Sequence, residues 1–316
     1  MIRTSSLHEL VGSGIDRVAV ACGVFDGLHR GHRRILDRLQ QEAVDTGAAP
    51  VVMTFDPHPQ NVIGSDDPVP LLLSIDHRLM LLARQKMAAT VVIPFTESFS
   101  RITPAAFVSD VLCGSSIRVT AVCVGSRWRF GHRAAGDTDL LQQLCNDLDV
   151  RVVPVSELDD DHGTVSSSRT RTAIAAGDLA VCESMLGRRF SVYGTVQRGK
   201  GLGAADLTYA TANIEPGNGV LPPDGIYAAT ARLCNDEGTW TDHPGILYQG
   251  SSPTVTDANP GGRIVEMHIF EFDADIYDRS LEIVYGDFIR ADCRFDSLEA
   301  LREQIGRDIA EVRARG

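Results

Sequence analysis

The stretch that decides the fold reads Gly23-Val24-Phe25-Asp26-Gly27-Leu28-His29-Arg30-Gly31-His32. It overlaps the end of an apolar run, residues 18–25, which has the composition of a buried parallel strand. Residues 32–47 follow with an apolar stripe at helical spacing, and Gly47 can end that helix. A strand, a Gly/His turn and a helix in this order predict the first unit of an α/β domain.

The composition of this turn favours an anion. Gly23, Gly27 and Gly31 let the backbone approach a phosphate without a Cβ in the way. The free N–H groups and the dipole of the following helix attract negative charge. His29 and His32, with two residues between them, can point into one pocket and donate to phosphoryl oxygens. We therefore expect a site that positions an incoming phosphate for in-line attack on the α-phosphorus of ATP. The alternative, a surface turn without a ligand, fits a position between a buried strand and a helix less well.

The rest of the N-terminal half alternates apolar runs with amphipathic segments. This alternation predicts an α/β, Rossmann-like domain, a parallel sheet with helices on both faces that binds ligands at the carboxyl ends of its strands. The predicted strands are Ala49–Phe55, Ala89–Pro94, Thr120–Val124 and Val150–Val155, and the predicted helices are His77–Ala88, Thr103–Leu112 and Asp137–Asp147.

The residue pattern of the sequence changes near Gly187, from alternating strands and helices to a succession of β runs. Two short helices, Ser167–Gly177 and Leu179–Leu186, come just before this point. Beyond it, β runs separated by Gly, Pro, Asp and Asn turns predict an antiparallel β-barrel or sandwich, which ends in a helix at residues 298–313. We therefore predict two domains, residues 1–186 and residues 187–316. The β runs are Phe190–Val196, Ile226–Leu233, Arg263–Phe272 and Ser280–Ile289.

Composition narrows the class of protein. The 316 residues include 43% hydrophobic and 23% charged residues and carry a formal net charge of −12. An acidic chain argues against general nucleic-acid or membrane binding. The seven scattered cysteines suit reduced thiols rather than disulfides or zinc. No segment has the roughly 20 apolar residues of a membrane span. We expect a cytoplasmic protein with small-molecule partners, no nucleic acid and no membrane, whose oligomeric state the sequence leaves open.

Three further segments sharpen the interpretation of the N-terminal half. They are Thr54–Pro59 (TFDPHP), Val124–Gly131 (VGSRWRFG) and Val165–Arg171 (VSSSRTR). Together with the H-x-G-H turn, they resemble nucleotidyltransferases, and most closely the bacterial bifunctional riboflavin kinase/FMN adenylyltransferases. The resemblance implies that His29 and His32 are catalytic. It implies ATP and phosphate binding by Gly23, Phe25, Asp26, Gly27, Gly31, Ser166, Ser167, Ser168 and Arg171, and flavin binding by Asp56, Pro57, His58, Pro59, Arg127 and Trp128.

One position departs from the family pattern. Where the family has an acidic residue in V-G-x-D-F, this chain has Arg127, followed by Trp128. A guanidinium in place of a carboxylate reverses the charge of the loop and can alter ligand placement. A phosphate monoester other than FMN therefore stays open as the acceptor.

The C-terminal half resembles the riboflavin kinase domain, a compact β-barrel with a terminal helix. The matching segments are residues 186–190 (LGRRF), 220–228 (VLPPDGIYA), 265–269 (VEMHI) and 289–308. The resemblance implies that Glu266 is the general base on the 5′-hydroxyl of riboflavin. It also implies that Thr211 and Asn213 bind Mg²⁺ and the phosphates of ATP, because hard oxygen ligands suit Mg²⁺.

The phosphate loop of this half departs from the family. Residues 204–210 lack the two glycines, the arginine and the proline of G-R-x-L-G-F-P, although the glycine-rich residues 199–203 can substitute. Residues 248–254 also lack the arginine of N-I-G-x-R-P-T. Three interpretations follow: a bifunctional enzyme using ATP, riboflavin and FMN as substrates, an FMN adenylyltransferase with a silent barrel, or a non-catalytic flavin-binding protein.

Overall fold

The computed structural model describes residues 1–64, 68–197, 211–235, 238–251 and 263–315. The loops predicted to matter at 199–203 and 204–210, and residues 252–254, lie outside these ranges.

The chain forms two compact units. The first contains Met1–Leu71 and Arg78–Arg169, and the second contains Leu72–His77 and the residues from Thr170 onward. The division between domains at Gly187 stays a prediction.

The first unit is built on a six-stranded parallel sheet, as predicted, with strand order β1-β4-β3-β2-β5-β6. The sheet is apolar because both of its faces are covered; every residue of β2 after Arg17 is buried. Its elements are β1 (Ile2–Thr4), β2 (Arg17–Cys22), α1 (Arg30–Thr46), β3 (Ala49–Asp56), α2 (Pro59–Ile63), the part of α3 (Ile75–Arg84) from Arg78 onward, β4 (Ala89–Pro94), α4 (Pro104–Ala106, continued by a π-helical turn at Phe107–Leu112), β5 (Arg118–Gly125), α5 (Thr138–Cys145) and β6 (Arg151–Val155).

The buried face and the C-terminal end of helix α1 follow from its sequence. Its buried residues Ile35, Leu36 and Leu39 lie on one face, as the apolar spacing predicts. Gly47 ends the helix in the left-handed conformation, with φ of 61°.

The strand order changes direction at β2, because β3 lies on one side of it and β5 on the other. The turn that joins β2 to α1 therefore lies at the switch point of the sheet, where α/β proteins bind ligands.

A short hairpin lies between β6 and the next helix. Strand β7 (Asp159–Asp160) pairs with β8 (Gly163–Thr164). Helices α6 (Ser167–Ala175) and α7 (Leu179–Leu186) follow, and α7 ends at Gly187 with φ of 65°.

The second unit contains a six-stranded antiparallel sheet with strand order β10-β13-β12-β11-β14-β9. A bridge between Gln197 and Asn213 joins the two edges, so the sheet approaches a closed barrel. The terminal helix packs through Ile309 and Val312 on a core that includes Ile226 and Ile246. The elements are β9 (Ser191–Thr195), β10 (Ala212–Ile214), β11 (Gly225–Cys234), β12 (Trp240–Ser251), β13 (Arg263–Ile269), β14 (Ser280–Ala291) and α8 (Leu298–Arg315).

Several predicted limits were wrong. The strand predicted over 18–25 stops at Cys22, because Phe25 has φ of 53°, which a strand cannot contain. The helix predicted over 77–88 is displaced to Ile75–Arg84, and Lys86 beyond it has φ of 57°. Among the helices in the described ranges, none is long and apolar enough to cross a membrane.

Candidate active sites

The Gly/His turn has an unusual backbone. Phe25, Gly27 and Leu28 all have positive φ, at 53°, 92° and 43°. Such angles strain residues with a side chain, and Phe25 is held by complete burial of its ring. The strained turn carries the chain from β2 directly into α1. Strain of this kind persists where the surrounding structure fixes it, and it is common at ligand-binding turns.

The two histidines of the turn lie against each other. Their rings stack at 3.7 Å between centroids with an interplanar angle of 16°. His29 precedes the first residue of α1, and its Nδ1 accepts the backbone N–H of His32 at 3.3 Å. His29 is buried, and His32 is half-buried with its ring edge-on to Phe25 at 5.3 Å. The predicted pair is therefore a fixed unit at the N-terminus of a 17-residue helix.

The predicted TFDPHP segment is joined to this turn. The N–H of Gly23 donates to the carbonyl of Met53 at 3.1 Å, and the Thr54 hydroxyl donates to the carbonyl of Val24 at 2.8 Å. Asp56 ends β3 and is half-buried. His58 is buried and caps α2, since its Nδ1 accepts the N–H of Gln60 at 3.2 Å.

Pro57 and Pro59 frame this segment. The bond from Asp56 to Pro57 is cis, and Pro59 is the first residue of α2. Pro59 therefore stands where a helix tolerates proline best, since the first helical residue needs no backbone N–H.

The serine segment also reaches the turn. The Ser167 hydroxyl donates to the carbonyl of Asp26 at 2.7 Å, and Asp26 is buried. Ser166 accepts the N–H of Arg169 at 3.3 Å and so has a capping role at the start of α6. Ser168 is exposed, and Arg171 lies further along the same helix.

Sequence reasoning missed a buried arginine beneath these segments. Arg78, on α3, is only 1% exposed. Its Nη1 donates to the Thr54 hydroxyl at 3.0 Å and to the carbonyl of Phe55 at 3.1 Å. Burial lowers the pKa of Arg78, and the carboxylates of Asp26 and Asp56 oppose that shift. The helical pattern of residues 77–88 marked this residue only as one polar position in an amphipathic helix.

The VGSRWRFG segment makes other contacts. Arg127 forms an ion pair with Glu157, whose backbone carbonyl also accepts from Arg34 at 2.9 Å. Trp128 stacks on Phe130 at 4.8 Å, with the rings within 8° of parallel. Arg127 is exposed and Trp128 is half-buried. The charge that departs from the family pattern is thus matched by a carboxylate of the same unit.

A cavity of about 600 Å³ lies elsewhere in the first unit, with Met53, Val91, Ile93 and Phe99 among its lining residues. None of the predicted ATP or flavin residues lines this cavity. It therefore gives no support to the predicted flavin contacts.

The second predicted site is assembled across three strands. Asn213 of β10 pairs with Glu266 of β13, which pairs in turn with Tyr248 of β12. Thr211, just before β10, donates from its hydroxyl to Glu266 Oε1 at 2.5 Å. The predicted residues Thr211, Asn213 and Glu266 thus lie together, and all three are half-buried. Tyr248 completes the row but was not among the predicted site residues.

Tyr248 brings a further carboxylate to this row. Its hydroxyl donates to Asp292 Oδ2 at 3.1 Å. Burial, together with the carboxylate of Asp292, raises the pKa of Tyr248 to about 12. The hydroxyl therefore stays protonated and can act as a hydrogen-bond donor at neutral pH.

A buried polar network supports the neighbouring LPPDG segment. Gln249, which is fully buried, donates to the carbonyls of Pro222 and Pro223 at 2.5 and 3.1 Å and accepts from the Tyr285 hydroxyl at 2.5 Å. Arg263 pairs with Asp224 of the same segment at 2.5 Å. These bonds fix residues 222–224 against the strands that carry Glu266 and Tyr248.

Comparison with known proteins agrees with the division of the chain into two kinds of fold. The FAD synthetase family model matches residues 14–169, and the riboflavin kinase family model matches residues 186–315. The first match covers strands β2 to β6 of the parallel sheet and the Gly/His turn, and the second covers the antiparallel sheet and its Glu266 row. The fold and sites thus define an α/β nucleotidyltransferase unit joined to a kinase-type barrel.

Whole-chain relatives fix the family. The bifunctional riboflavin kinase/FMN adenylyltransferase of Pseudomonas fluorescens is 32% identical over 292 residues, which is 92% of this chain and 91% of that protein. The protein of the same name from Escherichia coli K12 is 31% identical over 302 residues, 96% of this chain and 94% of its own length. The chain belongs to the family of bifunctional riboflavin kinase/FMN adenylyltransferases.

A solved structure also matches along the chain. It is titled as a macrolide-efflux protein from Streptococcus pneumoniae, with a TM-score of 0.77 and 25% sequence identity. The match covers 98% of this chain and 97% of that chain. It supports the same pair of folds in the same order.

Proposed function

We propose that this chain makes FAD in two ATP-dependent steps. The C-terminal site transfers the γ-phosphoryl group of ATP to the 5′-hydroxyl of riboflavin, giving FMN and ADP. The N-terminal site transfers AMP from ATP to the phosphate of FMN, giving FAD and pyrophosphate. One observation carries the proposal: in a chain of this family, both predicted residue sets come together, His29 with His32 and Glu266 with Thr211.

The histidine pair supplies donors for AMP transfer. Because His29 Nδ1 accepts a backbone N–H, a neutral His29 ring carries its hydrogen on Nε2. That hydrogen can bind a phosphoryl oxygen as negative charge builds during attack on the α-phosphorus. The parallel stack at 3.7 Å holds the ring of His32 beside it. The two rings thus position ATP and stabilise the leaving pyrophosphate without a covalent intermediate.

Glu266 is the base of the phosphorylation step in this proposal. It takes the proton of the riboflavin 5′-hydroxyl as that oxygen attacks the γ-phosphorus and ADP departs. The Thr211 hydroxyl donates to Glu266 and so fixes the orientation of the carboxylate. The side chains of Thr211, Asn213 and Glu266 each offer an oxygen as a ligand, and oxygen is the ligand that suits Mg²⁺. We propose that Thr211 and Asn213 hold Mg²⁺, which neutralises charge on the phosphates of ATP when bound.

The structure bears on the alternatives. A silent barrel is disfavoured, because Thr211, Asn213 and Glu266 keep a shared site despite the altered sequence at 204–210. A different acceptor is also disfavoured, since the charge of Arg127 is matched by Glu157. We keep FMN as the acceptor and Asp56, His58 and Trp128 among its proposed contacts.

The remaining features of the proposal follow from charge and family. The net charge of −12 supports small-molecule partners rather than nucleic acid, and we propose a cytoplasmic location. The two family models are separated by residues 170–185, which supports a functional boundary near Gly187.

The test uses the purified full-length chain. Incubation with Mg²⁺-ATP and either riboflavin or FMN is followed by chromatography of the flavins. We expect FMN and then FAD from riboflavin, and FAD from FMN. FAD from FMN without FMN from riboflavin would indicate the silent barrel, and no product from either would indicate a flavin-binding protein.

Paired variants then assign the two sites. His32→Ala should reduce FAD formation by roughly 10²- to 10³-fold, the usual cost of losing one transition-state donor, and leave FMN formation intact. Glu266→Gln should reduce FMN formation by about 10²- to 10⁴-fold and leave FAD formation from FMN intact. His162→Ala and Glu299→Gln, both at exposed positions, are the matched controls. Loss of both reactions in either site variant would contradict two separate sites.

A further inference from the structure

We propose that Arg78 is a positioning residue of the N-terminal site, which sets the turn at 23–32 and the TFDPHP segment in register with each other. The proposal rests on the FMN adenylyltransferase activity put forward above. Arg78 is absent from the predicted site and comes from a helix that supplies none of the predicted site residues.

The contacts of Arg78 converge on the ends of two adjacent strands. Its guanidinium binds the Thr54 hydroxyl and the carbonyl of Phe55, the last two positions before Asp56. The Thr54 hydroxyl in turn donates a hydrogen bond to the carbonyl of Val24. One side chain therefore links α3 to β3 and, through Thr54, to the turn after β2.

The guanidinium of Arg78 is buried close to two carboxylates. It is 1% exposed, yet no described residue forms a close ion pair with it, and its Nε has no hydrogen-bond partner among the described residues. Its charged neighbours are Asp26, which is buried in the turn, and Asp56, at the end of β3. Asp26 also carries the carbonyl that accepts from Ser167. The cation thus lies among the three segments that form the site.

A role in stability alone explains these features poorly. A buried guanidinium with an unused donor loses solvation that its hydrogen bonds only partly restore, and an apolar residue of similar volume usually serves a core as well. A cation that balances the charge of two carboxylates and holds two motif segments together instead fixes the positions of the groups in the site. Its loss is expected to displace the reacting groups relative to one another, which lowers the rate of the chemical step more than the affinity for substrates.

The experiment compares Arg78→Met, Arg78→Lys and Thr54→Val with a control, Arg84→Met, at the exposed end of the same helix. Steady-state FAD formation from FMN gives kcat and KM for both substrates, and circular dichroism gives the folded fraction. FMN formation from riboflavin by the same preparation is the internal reference. Failure of the wild-type chain to make FAD would overturn the proposed function before any variant is measured.

We expect Arg78→Met to lower kcat of the folded protein at least tenfold, with KM for ATP and for FMN changed less than threefold. Arg78→Lys, which keeps the charge, should recover at least threefold of that loss. Thr54→Val should lower kcat in the same sense. The Thr54→Val/Arg78→Met double variant should lose less than the product of the two single losses, because both changes remove the contact between Arg78 and Thr54.

Two results would overturn the proposal. The first is a kcat per folded molecule that stays within twofold of wild type in Arg78→Met. The second, which decides the matter if Arg78→Met does not fold, is unchanged kcat in both Thr54→Val and Arg78→Lys. A loss of FMN formation that parallels the loss of FAD formation would likewise show a general structural role.

Discussion

Replacement of Gly31 by alanine should affect the stability of helix α1 and the positions of the two histidine rings in different ways. Gly31 is the second residue of the helix. A Cβ at this position would lie 3.1 Å from both Cε1 and Nδ1 of His29. Carbon atoms are in optimal contact from about 3.5 Å, so the imidazole ring must move by about 0.4 Å. Because His29 stacks on His32, the movement reaches both rings.

The two expected effects have opposite signs. Alanine is more favourable than glycine within a helix by roughly 0.5–1 kcal/mol, so Gly31→Ala should not lower the melting temperature. A displacement of about 1 Å can cost about 10²-fold in rate, and one of about 0.4 Å scales to roughly five- to tenfold. We therefore expect a stable protein whose kcat for FAD formation is roughly five- to tenfold lower.

The assay is the initial rate of FAD formation from FMN and Mg²⁺-ATP, with FMN formation from riboflavin as the reference. Gly306→Ala is the matched control, since Gly306 also lies within a helix and a Cβ there would meet no atom within 4 Å. It should leave both rates unchanged. A rate of FAD formation in Gly31→Ala within 1.5-fold of wild type would refute the reasoning, as would an equal fall in both reactions.

Three further predictions concern the second unit. Tyr285→Phe leaves the Oε1 of buried Gln249 without its donor, which should cost about 1–3 kcal/mol of unfolding free energy in urea titrations; an unchanged midpoint would contradict this. Asp308→Ala leaves Arg290 without the buried carboxylate that accepts from its Nε and Nη2, and should cost about 3–5 kcal/mol, with loss of helicity in α8. Burial raises the pKa of Cys182 to about 12, which favours the neutral thiol, so iodoacetamide at pH 8–9 should leave this residue unmodified in the native protein and alkylate it after unfolding, as peptide mass spectrometry can show.

Much of the first unit was predictable because its signals are local. The alternation of apolar strands and amphipathic helices predicted the parallel sheet, and Gly47 marked the end of α1, where the structure shows it in the left-handed conformation. The histidine pair was predictable for the same reason, since its spacing lies within one turn of α1. Arg78 was not, because its role depends on contacts with residues 54 and 55, far away in sequence.

The second unit was harder to predict because its strands are less regular. Strand β12, with 12 residues, was missed, since Pro244, Gly245 and Gly250 give it the composition of a turn. Two of its members, Tyr248 and Gln249, have roles that follow only from cross-strand register and burial. The roles of Glu266, Thr211 and Asn213 were predicted only through family resemblance, since a glutamate on a strand is ordinarily a solvated residue.

Asn213 belongs both to the proposed metal site, through its side chain, and to the seam that closes the barrel, through its backbone. Its backbone carbonyl accepts the N–H of Gln197 at 2.8 Å, which links the two edge strands, while its side chain belongs to the row of Glu266. A ligand held by this side chain would resist local opening of the seam. The amide proton of Gln197 is then a natural reporter of occupancy, because its exchange with deuterium slows by the free energy that the ligand adds to the closed form.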